Sequence, residues 1–226
     1  MNIKLWFRGL SAFVLTIVLS LTLFSLPANA FVATNSRLAL AHLIETNECN
    51  SCDLSGVDLS GKDLYGSALL KANLTGANLS NTLLNEAKLD DANLTGANLS
   101  GSSLLGIRLN KANLTNANLT KAQLANAEMA GVNLSGANLT GAIVEYAIAS
   151  GANLSNAIAK EANFNNAFLS TSNLSSADFS DAVMRNVRLS GATLTQTKFI
   201  DADLFRARMP NDTVYNGNVA QFGAIQ

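Results

Sequence analysis

An apolar residue at every fifth position constrains this chain more than any other feature. From Leu54 to Met209 the step never slips, running through 32 centres without insertion or deletion. A longer period lies over it. The octet N-L-T-G-A-N-L-S at Asn73–Ser80 returns at Asn93–Ser100, and variants follow from Asn113, Asn133, Asn153 and Asn173. Five nested in twenty describes a solenoid whose coil has four five-residue sides, since a fixed internal period marks a stacked repeat. A helical bundle would need apolar spacing near 3.6 residues. Eight coils at ~4.8 Å per stacked rung make a rod about 38 Å long.

One side cannot bury its centre alone, so each centre packs against the one twenty residues away. Ala commonly stands two positions before the centre (Ala72, Ala77, Ala87, Ala92, Ala97, Ala112), which suits a second inward site beside a tight corner. Gly or Asn often stands two after it (Gly56, Gly76, Gly96, Asn116, Gly136), as corners with unusual backbone angles require. Ala149 and Ala159 are undersized centres preceded by Ile148 and Ile158. Either the core narrows there or an isoleucine turns inward.

A-N-L-T-G and A-N-L-S-N, carried unbroken from Cys52 to Met209, resemble the pentapeptide-repeat family. The resemblance implies an all-β fold: a right-handed quadrilateral β-solenoid of about eight four-sided coils. T-N-E-C-N-S-C-D-L-S-G at Thr46–Gly56 resembles the start of many cyanobacterial members. Met209–Tyr215 resembles their terminal M-P-D-G-x-V, with Asn211 and Asp212 standing in place of Asp-Gly.

The flanks divide the chain further. Residues 1–30 read as a signal peptide: Lys4 and Arg8 precede an apolar run from Leu10 to Leu26, and Ala28-Asn29-Ala30 places a cut before Phe31. An uncleaved membrane anchor is the other reading. Residues 31–51 form a capping segment, with a short helix expected over Ser36–Asn47. Ser36 is its expected N-cap, and Leu40, Leu43 and Ile44 its apolar stripe. Residues 52–210 are the solenoid and 211–226 a C-terminal cap or tail, with Val214 and Val219 continuing the step of five and Phe222 over the last coil. Cys49 and Cys52 are the only cysteines. In an oxidising compartment a structural disulfide between them is the simplest use, and a thiol redox pair is the alternative.

The chain is nearly neutral, with 15 basic and 16 acidic residues; without Lys4 and Arg8 it has 13 against 16. Nucleic-acid binding is not favoured by such a balance. His42 is the only histidine, and no paired carboxylates or phosphate-cradling glycine loop appear. No catalytic, cofactor-binding or metal residues are assigned and no cofactor is expected; the chain reads as a non-enzyme.

Sorting outward residues by period twenty separates the faces. Sides one and two, through Leu74 and Leu79, carry ladders of Asn with Ser and Thr. Their expected role is adhesion between coils, and an ordered-water or ice-binding face is an alternative. Sides three and four, through Leu84 and Leu89, present Tyr65, Leu83, Leu105, Arg108, Ile143, Tyr146, Ile148, Phe168, Val183 and Phe205. Clustered exposed apolar residues mark interaction sites. The function expected is an exported structural scaffold or interaction module, in a periplasm or thylakoid lumen, recognising a partner protein or a second copy. The resemblance also raises a DNA-mimic binder of a topoisomerase, but family members of that type are strongly acidic.

Overall fold

The protein, seen in a computed structural model, is described over residues 28–225. The expected signal peptide lies outside the described residues as far as residue 27.

Corners make the coil. Every fifth residue from Ser51 to Arg206 has a positive φ, between 55° and 70°. Each corner is closed by a hydrogen bond back to the centre's carbonyl, as from Ala77 N–H to Leu74 O at 3.0 Å. A bonded turn whose third residue is left-handed has the type II pattern. Glycine, Asn and Asp occupy that position at little cost, whereas Tyr146 and Thr171 are strained there.

Four corners return the chain above its own start, and parallel bridges then join residues twenty apart, such as Asn73 to Asn93 and Asn93 to Asn113. One such step carries three backbone bonds: Leu74 N–H to Asn93 O at 2.7 Å, Gly76 N–H to Thr95 O at 2.9 Å and Asn93 N–H to Ala72 O at 2.9 Å. The all-β expectation needs correcting in one respect. Pairing among the described residues consists of isolated bridges, one residue per side and coil, and no extended strand forms. Corners every five residues leave too few extended positions between them for a longer ladder.

All 32 centres from Leu54 to Met209 are no more than 2% exposed, and the residue two before, most often Ala, is buried with nearly all of them, with exposed Lys62 and partly buried Cys52 and Ala202 at the ends of the array. Ala149 and Ala159 stay inward while Ile148 and Ile158 are 48% and 43% exposed, so the core narrows and no isoleucine turns in. Beyond that narrowing, Phe164 meets Phe179 edge-on at 5.3 Å and Phe179 stacks on Phe199 at 5.8 Å, restoring bulk. Buried polar residues at the Ala position bond mostly to the coil before, while the Ser102 hydroxyl donates to Leu99 O in its own corner at 2.6 Å. Thr82, Ser172 and Thr197 donate to the carbonyls of Leu59, Ala149 and Leu174, each 23 residues earlier. Ser67 Oγ has no partner. The equivalent carbonyl would belong to residue 44, which lies within the entering helix.

That helix, α1, spans Ala28–Thr46, longer than the expected Ser36–Asn47. Ser36 lies inside it and is not an N-cap, because no proline or glycine after Pro27 interrupts the segment. Asn47, at φ 59°, ends it in a left-handed cap with its N–H on Leu43 O at 2.8 Å. The Asn47 side chain donates to Tyr65 O at 2.8 Å and so ties α1 to the first coil. Leu43 is fully buried with Ala39 and Leu40 beside it, but Ile44 is 53% exposed. The buried stripe therefore runs Ala39–Leu40–Leu43, and His42 is exposed.

At the other end Asp212 takes φ 64°, the angle glycine would supply in M-P-D-G. The chain then reverses. Val214 pairs antiparallel with Arg208 and is exposed, so it does not extend the array. Val219 is buried, Phe222 packs half-buried on the core, and Ile225 pairs with Lys198.

Ser67→Ala removes an unpartnered buried hydroxyl and should stabilise the protein by about 1 kcal/mol, whereas Thr82→Ala should cost about as much. Thermal denaturation should move by roughly 2–4 °C in opposite directions, and equal shifts would contradict this account of the inward hydroxyls. Thr171→Gly relieves a β-branched left-handed residue costing about 1–2 kcal/mol, less the greater unfolded-chain freedom of glycine, about 0.5–1 kcal/mol. The same melts should show a small increase.

Candidate interaction surface

On sides one and two the Asn side-chain oxygens are all occupied within the rod. Asn73 Oδ1 accepts from Thr75 N–H at 3.2 Å and from the Thr75 hydroxyl at 2.6 Å. Asn78 with Ser80, Asn118 with Thr120 and Asn138 with Thr140 repeat the arrangement. This bond across the N-L-T or N-L-S triplet is a local Asx motif that the reading of the faces as vertical ladders missed; the triplet itself was its signal. The ladder is also present, with Asn98 Nδ2 donating to Asn78 Oδ1 at 3.3 Å and Asn118 to Asn98 at 3.1 Å.

The first rung differs. Asp53 and Asp58 begin these ladders and accept from Asn73 Nδ2 at 2.9 Å and Asn78 Nδ2 at 3.0 Å. The Ser55 hydroxyl and N–H, with Asn73, hold the Asp53 carboxyl below its ordinary value against the opposing effect of burial. The Ser60 hydroxyl and N–H lead the same effect at Asp58. On side three the Phe205 N–H, then Arg185, lower Asp203. Cys49 and Cys52 lie at disulfide distance, with Cα atoms 5.3 Å apart, where α1 meets the first coil.

Sides three and four offer different chemistry. Tyr65, Leu83, Leu105, Ile143, Tyr146, Ile148 and Phe205 are all exposed. Val183 and Phe168 are half-buried, the latter because the Arg188 guanidinium lies 4.6 Å from its ring centroid. Arg108 is exposed but paired, 3.0 Å from Asp90 and 3.9 Å from Glu128. These residues do not form one patch. Tyr65, Leu83 and Leu105 lie apart on the first three coils, and Phe205 on the last. Contiguity arises only where Ile143, Tyr146 and Ile148 share the fifth coil and Ile148 bridges to Phe168 on the sixth. Tyr146 stands on the corner between the two sides.

Sequence reasoning missed one concavity. A groove of about 450 Å³ lies between the end of α1 and the first coil, lined by residues that include Leu43, Ile44, Lys62, Asp63 and Tyr65. The short sequence distance between Thr46 and the first corner gave no sign of it. Among the described residues no cluster of His, Cys, Asp and Glu is arranged to hold a metal ion, and no helix is long and apolar enough to cross a membrane.

The profile of Pentapeptide repeats matches in eight copies over residues 48–91, 69–106, 77–116, 107–145, 144–175 and 172–209. The chain belongs to the pentapeptide-repeat family. The fold of that family is known as a right-handed quadrilateral β-helix, and its members are generally non-enzymatic. Among solved structures, a trypsin-treated form of QnrB1, a plasmid-mediated fluoroquinolone resistance protein, is similar at 23% identity. It covers 69% of this chain and 79% of its own, with a TM-score of 0.54, which speaks to the fold alone. HetL of Nostoc sp. strain PCC 7120, a pentapeptide repeat protein involved in heterocyst differentiation regulation, is 27% identical over 78% of this chain and 97% of its own, with a TM-score of 0.36. A pentapeptide repeat protein of the Arabidopsis thaliana thylakoid lumen is 19% identical over 68% of this chain and 70% of its own, with a TM-score of 0.21. No curated protein matches the chain significantly.

The lowered carboxyls set a pH dependence. A depressed folded-state pKa gives stability that is present above the unfolded aspartate value of about 3.9 and lost as pH falls through the folded value. Asp53→Asn with Asp58→Asn keeps the accepting oxygens and removes the titration. Melting temperature followed from pH about 6 to about 2.5 should fall less steeply in the double variant than in the parent.

Proposed function

We propose that this pentapeptide-repeat protein is an exported, non-enzymatic interaction scaffold whose sides three and four are recognised by a partner protein. The observation that carries the reading is the contiguous apolar cluster of Ile143, Tyr146, Ile148 and Phe168, on a rod whose other two sides spend their polar groups internally. Exposed apolar surface costs solubility, and in a stable protein it marks contact with something else. A filled core with 32 inward centres offers no interior cavity for a substrate.

Export rests on the sequence of residues 1–30, and Cys49 beside Cys52 suits an oxidising compartment, a periplasm or thylakoid lumen. The pair follows the end of α1 and stands where the repeat begins, not at the start of a helix, which favours a structural over a redox role. A mimic of duplex DNA would need rows of acidic groups, whereas side four carries Lys88, Arg108, Arg188 and Arg208. The Asn-rich faces are weak candidates for ordering water, because their amides and hydroxyls already bond to one another.

Fractionation of tagged protein with crosslinking mass spectrometry tests this function. The protein should be found outside the cytosol, with crosslinks to a partner on the fifth and sixth coils. Tyr146→Ser with Phe168→Ser should reduce recovery of that partner about tenfold or more, as loss of aromatic anchors does. Unchanged recovery would overturn the assignment of the surface, and gyrase subunits as the partner would favour the DNA-mimic reading.

A further inference from the structure

The outward row of side four reads, in coil order, Ala68, Lys88, Arg108, Glu128, Ile148, Phe168, Arg188 and Arg208, each bridged to the next. Its fifth and sixth rungs are the apolar pair Ile148–Phe168. One rung before that pair stands an acid, Glu128, and one rung after it a base, Arg188. About that pair the row is complementary to its own reverse over four rungs, Glu128 to Arg188, while the next rungs out set Arg108 against Arg208.

We propose that side four is a self-recognition face on which two copies pack antiparallel about a two-fold axis between the Ile148 and Phe168 rungs. The axis runs across the face, so it reverses the rod direction while keeping the same corner of both rods together. Ile148 then meets Phe168 of the second copy, and Glu128 meets Arg188 of the second copy, each contact occurring twice as a closed two-fold interface requires. Glu128 is 53% exposed at its side chain and Arg108 lies 3.9 Å from it, so its carboxylate is free to turn outward. Arg108 is held more closely by Asp90, at 3.0 Å. That neighbouring carboxylate offsets the approach of Arg208 on the outer rungs. Tyr146, on the shared corner, covers one edge of the apolar centre.

Parallel packing fails on the same row, because it sets Arg188 against Arg188 and Glu128 against Glu128. Like charges placed opposite one another suppress a pairing mode. The rod limits the affinity. About this axis only the six rungs from Arg108 to Arg208 overlap, and ~29 Å of face about three extended residues, or ~10 Å, wide gives roughly 300 Å² per copy. The total of roughly 600 Å² falls below the ~1,200–2,000 Å² of stable complexes. The dimer is therefore a weak one.

The inference rests on the reading of sides three and four as a recognition surface, and names the occupant of side four. Sedimentation velocity of the purified protein at low salt, from about 5 to about 500 µM, should show a concentration-dependent rise to dimer that added salt weakens. Arg188→Glu should weaken the dimer at least tenfold, and Glu128→Arg in the same chain should restore it. A monomer at every concentration, an unaffected dimer in the single variant, or no restoration by the charge swap would each overturn the proposal. Circular dichroism of each variant separates lost pairing from lost folding. Loss of a crosslinked partner in the Tyr146→Ser and Phe168→Ser protein, with the parent monomeric throughout, would sink this inference and leave the interaction reading standing. The reverse result, charge-swap rescue without a heterologous partner, would uphold self-recognition alone.

Discussion

The structure depends on one conformational demand, that every fifth residue enter the left-handed region. Four such corners bring residue n+20 over residue n, and from that coincidence follow the parallel bridges, the stacked centres and the amide ladders. Were one corner to open, the next side would lose its place over the preceding coil and three backbone bonds with it. Glycine meets the demand most cheaply. The chain nonetheless places Lys, Glu, Asn, Tyr and Thr at many corners, so the stack compels the corner conformation as much as the corner residue permits the stack.

This arrangement explains how the protein divides labour between its sides. The octets from Asn73 and Asn93 build faces whose side chains are occupied with their own backbone and with the coil beside them. The exposed apolar residues Ile143, Tyr146 and Ile148 fall where the octet is broken. The same departures bring the undersized centres Ala149 and Ala159, the strained corner at Tyr146 and the exposed Ile148 into neighbouring coils. The region that folds with least help from its own residues is also the region with most exposed apolar surface.

Much of this was legible in the sequence, for a physical reason. A period of five reports on local geometry, so the inward centres, the inward Ala and the corners at Gly56, Gly76 and Asn116 could be assigned without long-range information. Features that depend on breaking the period were not legible. The start of α1 at Ala28 is set by an absence of helix breakers, and the exposure of Ile44 by how the helix lies on the first coil. The reversal at Asp212 turned Val214 outward although its spacing fits the repeat. On the candidate surface, exposure at Tyr146 and Ile148 followed from register. The half-burial of Phe168 under Arg188 did not, because it depends on contact between coils.

The amide ladders have a grain. In each of their bonds the Asn of the later coil donates to the acceptor of the earlier one. Asp53 and Asp58 accept but cannot donate, so neither ladder can continue behind them. A coil copied into the middle of the rod would join the grain unnoticed, whereas one placed ahead of Asp53 would face carboxylates with nothing to hand on. The number of coils is thus free to drift in the interior of the array, while its origin is written in two side chains.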